Sequence, residues 1–175
     1  MSANSSSQEF SDPQMTAFIV EPGGDRTHGR LYIFGDDVWV KISSRDTNGA
    51  FAVVEDRTKP LQGPPLHLHY VQDEWFYVLE GHYLFEVDGH QIHAEPGATI
   101  FAPRGTRHTF QNIGSTPGRM IITVAPGGLD VFFEELSAAA PPGTIPDPAK
   151  LAPLFQKYGL ELLGPPLSAR QPELI

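Results

Sequence analysis

An all-β fold, a sandwich or barrel of short antiparallel strands followed by short C-terminal helices, is predicted by three features of this sequence. Seventeen glycines and seventeen prolines in 175 residues punctuate the chain, which favours frequent turns over long helices. Between these turn signals lie short runs in which apolar side chains alternate or dominate, the mark of half-buried or buried strands. Helical patterning emerges only beyond Pro126-Gly127-Gly128.

The elements follow in order. Residues 1–14 are Ser-rich and polar and are expected to form a flexible tail. Strand-like runs come at 17–20, 29–34 and 38–42, with Gly35-Asp36-Asp37 read as a turn. Asn48-Gly49 marks a hairpin turn ahead of 51–55. Pro60, Pro64 and Pro65 break the chain before a strand at 66–69. The run 74–80 is the clearest strand, with Glu74, Phe76 and Val78 on one face and Trp75, Tyr77 and Leu79 on the other. Both faces are largely apolar, so cover is expected on each side, and a homodimer is one way to supply it. Gly81, Asp88-Gly89, Pro96-Gly97 and Pro103-Arg104-Gly105 then separate runs at 83–87, 91–94, 99–102 and 107–112, and 119–124 ends the series. One barrel domain over 15–125 is therefore expected, with a helical extension over 126–175 packed on it, because so short a tail rarely builds its own core.

Composition excludes several classes. Twelve basic against twenty-one acidic side chains give a net charge of −9, which argues against nucleic acid or an anionic membrane as partner. The absence of cysteine removes thiolate nucleophiles, disulfides and cysteine-bound zinc. The opening MSANSSSQEF lacks the basic and apolar regions of a secretory signal, and no apolar run is long enough to span a bilayer. A cytoplasmic protein acting on a small molecule is the expectation.

The chemistry concentrates in His67-Leu68-His69, Glu74 and His108. Strand alternation sends residues i and i+2 to one face, so His67 and His69 project side by side. Three imidazoles and a carboxylate suit one divalent transition metal, whether iron, manganese, nickel, cobalt, copper or zinc. The spacing resembles the cupin superfamily. Its first motif, G-x5-H-x-H-x(3,4)-E-x6-G, is matched from His67 to Gly81, with Leu61 where the leading glycine is expected. Its second, G-x5-P-x-G-x2-H-x3-N, is matched at Gly97, Pro103, Gly105, His108 and Asn112. The resemblance implies a cupin jelly-roll, a double-stranded β-helix, with His67, His69, Glu74 and His108 as metal ligands.

The run Ala125-Pro126-Gly127-Gly128 and the Phe-rich segment after it resemble the ending of small bacterial quercetin-dioxygenase-like cupins. That likeness implies cleavage of a flavonol or related enolic substrate with dioxygen, with Glu74 taking the hydroxyl proton. Phe76, Phe101 and Phe110 are expected to wall the substrate pocket. Two alternatives stand beside it. One is an isomerase or decarboxylase acting on a sugar or keto acid, for which Arg104 and Arg107 offer a carboxylate clamp. The other is a metal-containing binding module without turnover. His28, His82, His90 and His93 fall outside the motifs and are expected to be solvated or structural.

Overall fold

The computed structural model describes residues 17–27, 29–142 and 147–170. The expected tail at 1–14 and His28 lie outside them. In chain order the elements are β1 (Leu31–Ile33), β2 (Asp36–Ile42), a 3-10 turn (Ser44–Thr47), β3 (Ala52–Thr58), β4 (Pro65–His69) and β5 (Asp73–Glu80). They continue with β6 (Tyr83–Val87), β7 (His90–Ala94), β8 (Thr99–Ala102), β9 (His108–Asn112), β10 (Gly118–Ala125), α1 (Leu129–Ala139), α2 (Pro148–Lys157), β11 (Leu160–Pro166) and α3 (Leu167–Arg170). A six-stranded sheet in the order β1-β2-β3-β10-β5-β8 faces a five-stranded sheet in the order β11-β4-β9-β6-β7. The described strands pair antiparallel, giving the all-β architecture that the strand rhythm predicts, in the jelly-roll form that the family resemblance implies.

Alternation decides what enters the barrel. On β5, Glu74, Phe76 and Val78 point inward and are buried. Val38 and Val40 from β2, Val54 from β3 and Met120 and Ile122 from β10 fill the same core. The opposite face of β5 behaves differently from the expectation of cover on both sides. Trp75 and Tyr77 are 36% and 43% exposed, and Phe101 on the paired strand β8 is 57% exposed. Among the described residues of one chain nothing is stacked on this outer face deeply enough to bury its aromatic rings.

Three local expectations change. Residues 17–20 have no regular structure; Phe18 instead packs under the Arg26 guanidinium, 4.6 Å from its ring centre. The turn after β1 falls on Phe34 and Gly35, so Asp36 already lies in β2 and points inward. The tail is not helical alone. Leu160–Pro166 pairs antiparallel with β4, Leu160 opposite His69 and Leu162 opposite His67, so the extension adds a strand beside the histidine-bearing one. Gly164, Pro165 and Pro166 hide that strand within the expected helical extension, since proline and glycine weaken a strand pattern. At the edge of a sheet both are tolerated.

Candidate metal centre

His67 and His69 leave β4 on the same face, and His108 opens β9 directly opposite His67 in the sheet register. Glu74 comes from β5 in the facing sheet. The ligand-capable atoms of these four residues lie within 4.8 Å of one another. The turns that bring them together are sequence-specific. Gly63 passes so close to β9 that a Cβ there would sit 1.9 Å from the Phe110 carbonyl oxygen. Leu61, standing where the first motif expects glycine, takes φ of 63°, the left-handed geometry that glycine adopts most easily. The motif residue Asn112 is structural: its amide donates to the carbonyls of Thr58 and Thr116 at 3.0 and 2.8 Å, and its Oδ1 accepts from Gly114 N–H at 2.9 Å.

Backbone carbonyls orient two of the rings. His67 Nδ1 lies 2.8 Å from the Pro65 oxygen, and His108 Nδ1 lies 3.0 Å from the Thr106 oxygen. A carbonyl only accepts, so each Nδ1 carries the proton and each Nε2 is the atom turned to the centre. Glu74 Oε2 sits 2.9 Å from His108 Nε2 and 3.2 Å from His69 Nε2. Burial alone would raise the Glu74 pKa, but the imidazoles of His69, His108 and His67 hold it down at about 2. Burial also disfavours a charged His108, yet the hydrogen bond and charge of Glu74, with the Thr106 carbonyl and the Asp88 charge, together outweigh this and raise its pKa. His67 is pushed well below its ordinary value by burial and by the neighbouring His108 and His69.

The donor set fits a divalent ion. His69 is only 2% exposed, and both its ring nitrogens are buried without a hydrogen-bond partner. Orphaned nitrogens inside a barrel are costly unless something coordinates them. His67, His69, Glu74 and His108 would be the ligands, leaving about two positions open on an octahedral ion.

Gln72 was not legible as a site residue, although it stands three places after His69 and between two ligands. It is buried, its Nε2 donates to the Tyr158 carbonyl at 3.3 Å, and its Oε1 is buried without a partner beside His69. Burial lowers the His69 pKa, while Glu74 and, more weakly, Gln72 act in the opposite sense. Gln72 thus stands beside His69, anchored to a carbonyl of the C-terminal extension. Replacing Gln72 with leucine is expected to weaken Co2+ binding by roughly 10- to 100-fold, the usual cost of losing an outer support. Titration followed by the visible Co2+ spectrum checks this; unchanged affinity and spectrum would count against a support role.

A cavity of about 50 Å³ adjoins His67, His69 and Glu74. Phe76 and Phe110 line it, joined by Phe132, Phe155 and Leu160 of the extension. Phe101 does not: inward positions on β8 belong to Ile100 and Ala102, and Phe101 faces outward between them. Neither arginine clamps anything in the cavity. Arg104 grips Asp73 through Nε and Nη2 at 3.0 and 2.8 Å, holding that carboxyl at about 2, and Arg107 lies 3.5 Å from Asp88. His82, His90 and His93 also sit away from the centre, at the β6–β7 side.

Comparison with known proteins agrees with this geometry. Residues 56–125 match the family model described as a cupin domain. Quercetin 2,3-dioxygenase of Bacillus subtilis is 29% identical over 121 residues, covering 68% of this chain and 34% of that protein. The tetracenomycin polyketide synthase protein TcmJ of Streptomyces glaucescens is 31% identical over 83 residues, covering 43% of this chain and 56% of that protein. The chain therefore spans only about a third to a half of these curated relatives. The structure of KdgF from Halomonas sp. superposes with a TM-score of 0.57 at 18% identity, covering 66% of this chain and 99% of that one, a likeness of fold. The matched segment carries all four clustered donors, and over residues 56–125 the chain is similar to the cupin domain.

Proposed function

We propose that the cluster is a metal centre and that the protein is a dioxygenase cleaving an enolic substrate with dioxygen. The observation that carries this is a buried three-histidine, one-carboxylate cluster opening on a cavity walled by Phe76 and Phe110. The similarity to a quercetin 2,3-dioxygenase supports it. A bound divalent transition ion supplies Lewis acidity there and, where redox-active, a path for electrons from substrate to dioxygen. Three neutral imidazoles and one carboxylate around a dication leave a net charge of +1, which favours an anionic oxygen donor.

The chain's own residues do the rest. Glu74, ionised and held by His69 and His108, receives the hydroxyl proton as substrate enters; its basicity rises as it turns away from the imidazoles. Phe76 and Phe110 pack the flat substrate and exclude water. The volume of the cavity sets a further condition. About 50 Å³ is far below the roughly 300–1,000 Å³ that encloses drug-sized ligands. A flavonol therefore enters only as Phe132 and Phe155 give way, while a small enol needs less rearrangement.

Oxygen uptake by iron-, manganese-, cobalt- and nickel-loaded protein with quercetin and small enols tests the proposal, and no uptake in any form would defeat it. Binding without uptake would instead mark a binding module. Glu74→Gln preserves size and one ligand oxygen but removes the base, so kcat is expected to fall about 10²- to 10⁴-fold. Metal content, measured alongside, separates loss of the base from loss of the anionic ligand, because glutamine offers the ion only a neutral oxygen.

One observation favours a hydroxyl-rich substrate such as a sugar: two aspartates, Asp36 and Asp56, reach the cavity. The keto-acid route loses support, because the same aspartates repel a carboxylate and Arg104 is already engaged by Asp73. The partner expected beyond the substrate is a second copy of the chain, seated on the exposed face of Trp75, Tyr77 and Phe101. Sedimentation should show a dimer that Tyr77→Asp with Phe101→Asp converts to monomer; a wild-type monomer at micromolar concentration would remove this proposal. Among the described residues no helix is long and apolar enough to cross a membrane.

A further inference from the structure

We infer that Asp36 and Asp56 form a second polar pole of the cavity and bind a substrate hydroxyl there, so that the ligand class is an enol carrying a further hydroxyl away from its metal-seeking oxygen. The inference rests on the enolic-substrate proposal and sharpens it. Val38 of β2 lies opposite Asp56 of β3, which puts Asp36 one inward position further along the neighbouring strand. Diagonal neighbours on one face of an antiparallel pair are within reach of a common partner. The two residues are 3% and 6% exposed, and both line the cavity that His67, His69 and Glu74 also line. Ile33, Phe76 and Ile122 contribute apolar wall to that cavity.

A ligand is indicated from two directions. The orphaned nitrogens of His69 point to an occupant at the metal end. At the other end, two carboxyls are buried with modest support. Asp36 accepts from the Lys59 backbone N–H at 2.9 Å. Asp56 accepts from the Thr58 hydroxyl, which in turn accepts from the Tyr83 hydroxyl at 3.2 Å. Carboxyl groups in an apolar barrel cost free energy unless protonated or hydrogen-bonded. Burial, with the charge of Asp56, pushes Asp36 up to about 8, and burial, with the charge of Asp37, pushes Asp56 to about 7. Near neutral pH the pair therefore retains a proton, and presents both a donor and an acceptor. A hydroxyl, itself both donor and acceptor, matches that pair better than a carboxylate or a bare ring does.

Kojic acid and allomaltol provide the test. Both chelate through an enolic hydroxyl and a ketone, and they differ by one hydroxyl at the far side of the ring. Calorimetric titration uses the zinc-loaded protein, which is redox-silent, with zinc retention followed in parallel. Wild-type protein is expected to bind kojic acid about tenfold more tightly, the value of one charge-assisted hydrogen bond. Asp36→Leu and Asp56→Leu should each cut that preference severalfold while leaving the affinity for allomaltol nearly unchanged. If the leucine variants fail to fold, Asp36→Ala and Asp56→Ala, which likewise offer the hydroxyl neither donor nor acceptor, carry the same comparison. Equal binding of the two compounds by wild type overturns the inference, as does a preference that survives in the variants. Binding of neither compound would instead bring down the enolic-substrate proposal, and this inference with it.

Discussion

Replacing His69 with alanine is expected to lower affinity for Ni2+ or Zn2+ by more than 100-fold, beyond the 10- to 100-fold that outer supports cost. Both ring nitrogens of the buried His69 lack a hydrogen bond, which an ion at the proposed centre would relieve at one of them. In the metal-free protein the substitution should matter much less. It leaves a small void, but it also removes a buried imidazole that lacks hydrogen bonds, and these effects oppose one another. The same experiment reads metal removal. Free ion at 100 times its dissociation constant stabilises the native state by about 2.7 kcal/mol. For a chain of this size that is a rise in melting temperature of roughly 5–10 °C. A chelator should reverse the rise in wild type and do nothing to His69→Ala. A variant that still shows the rise would mean that the four donors do not share an ion.

The second large effect concerns stability and pH. Asp36 and Asp56 have folded-state pKa values of about 8 and 7, above the ordinary 3.8, chiefly because burial disfavours their charge. The neighbouring Asp37 adds to the rise in both, and at Asp36 the Lys59 amide and ammonium only partly oppose it. Below about pH 4 both carboxyls are protonated whether or not the chain is folded, and ionisation costs nothing. As pH rises from about 4 to 8, the unfolded chain loses protons that the native state keeps, so this pair draws stability down. Above the folded values the full penalty stands.

Asp36→Asn removes most of that slope. At pH 9 it is expected to be more stable than wild type by on the order of 2–3 kcal/mol, less than a full count of the shift because water reaches the cavity. The difference should shrink to near zero at pH 4. Urea unfolding of both proteins across this range checks it, and parallel curves would show that the carboxyl is not held protonated. Taking the difference between the two proteins cancels other acids such as Asp73, whose lowered pKa acts with the opposite sign.

Much of the site was readable in the sequence because it depends on parity and fixed spacing. His67 and His69 share a face by strand alternation, and the turn glycines and prolines set where Glu74 and His108 arrive. The parts that escaped have physical reasons. Asp36 looked like turn chemistry beside Gly35 and Asp37, and no pattern announces that a carboxylate will be buried. Phe101 was assigned to the pocket for its aromatic ring, yet the inward slots at Ile100 and Ala102 leave it no choice but to face out. The strand at Leu160–Pro166 exists because β4 offers an open edge, a tertiary fact that outweighs its glycine and prolines. Gln72 matters through a carbonyl eighty-six positions away, which local spacing does not reveal.

That tail strand divides the molecule's labour. The four clustered donors belong to the barrel, but Phe132, Phe155 and Leu160, which line the chamber beside them, belong to the last third of the chain. A different tail grafted after Gly128 would therefore reshape what the chamber admits while the coordinating strands keep their own sequence. Re-engineering of selectivity has its natural seam there.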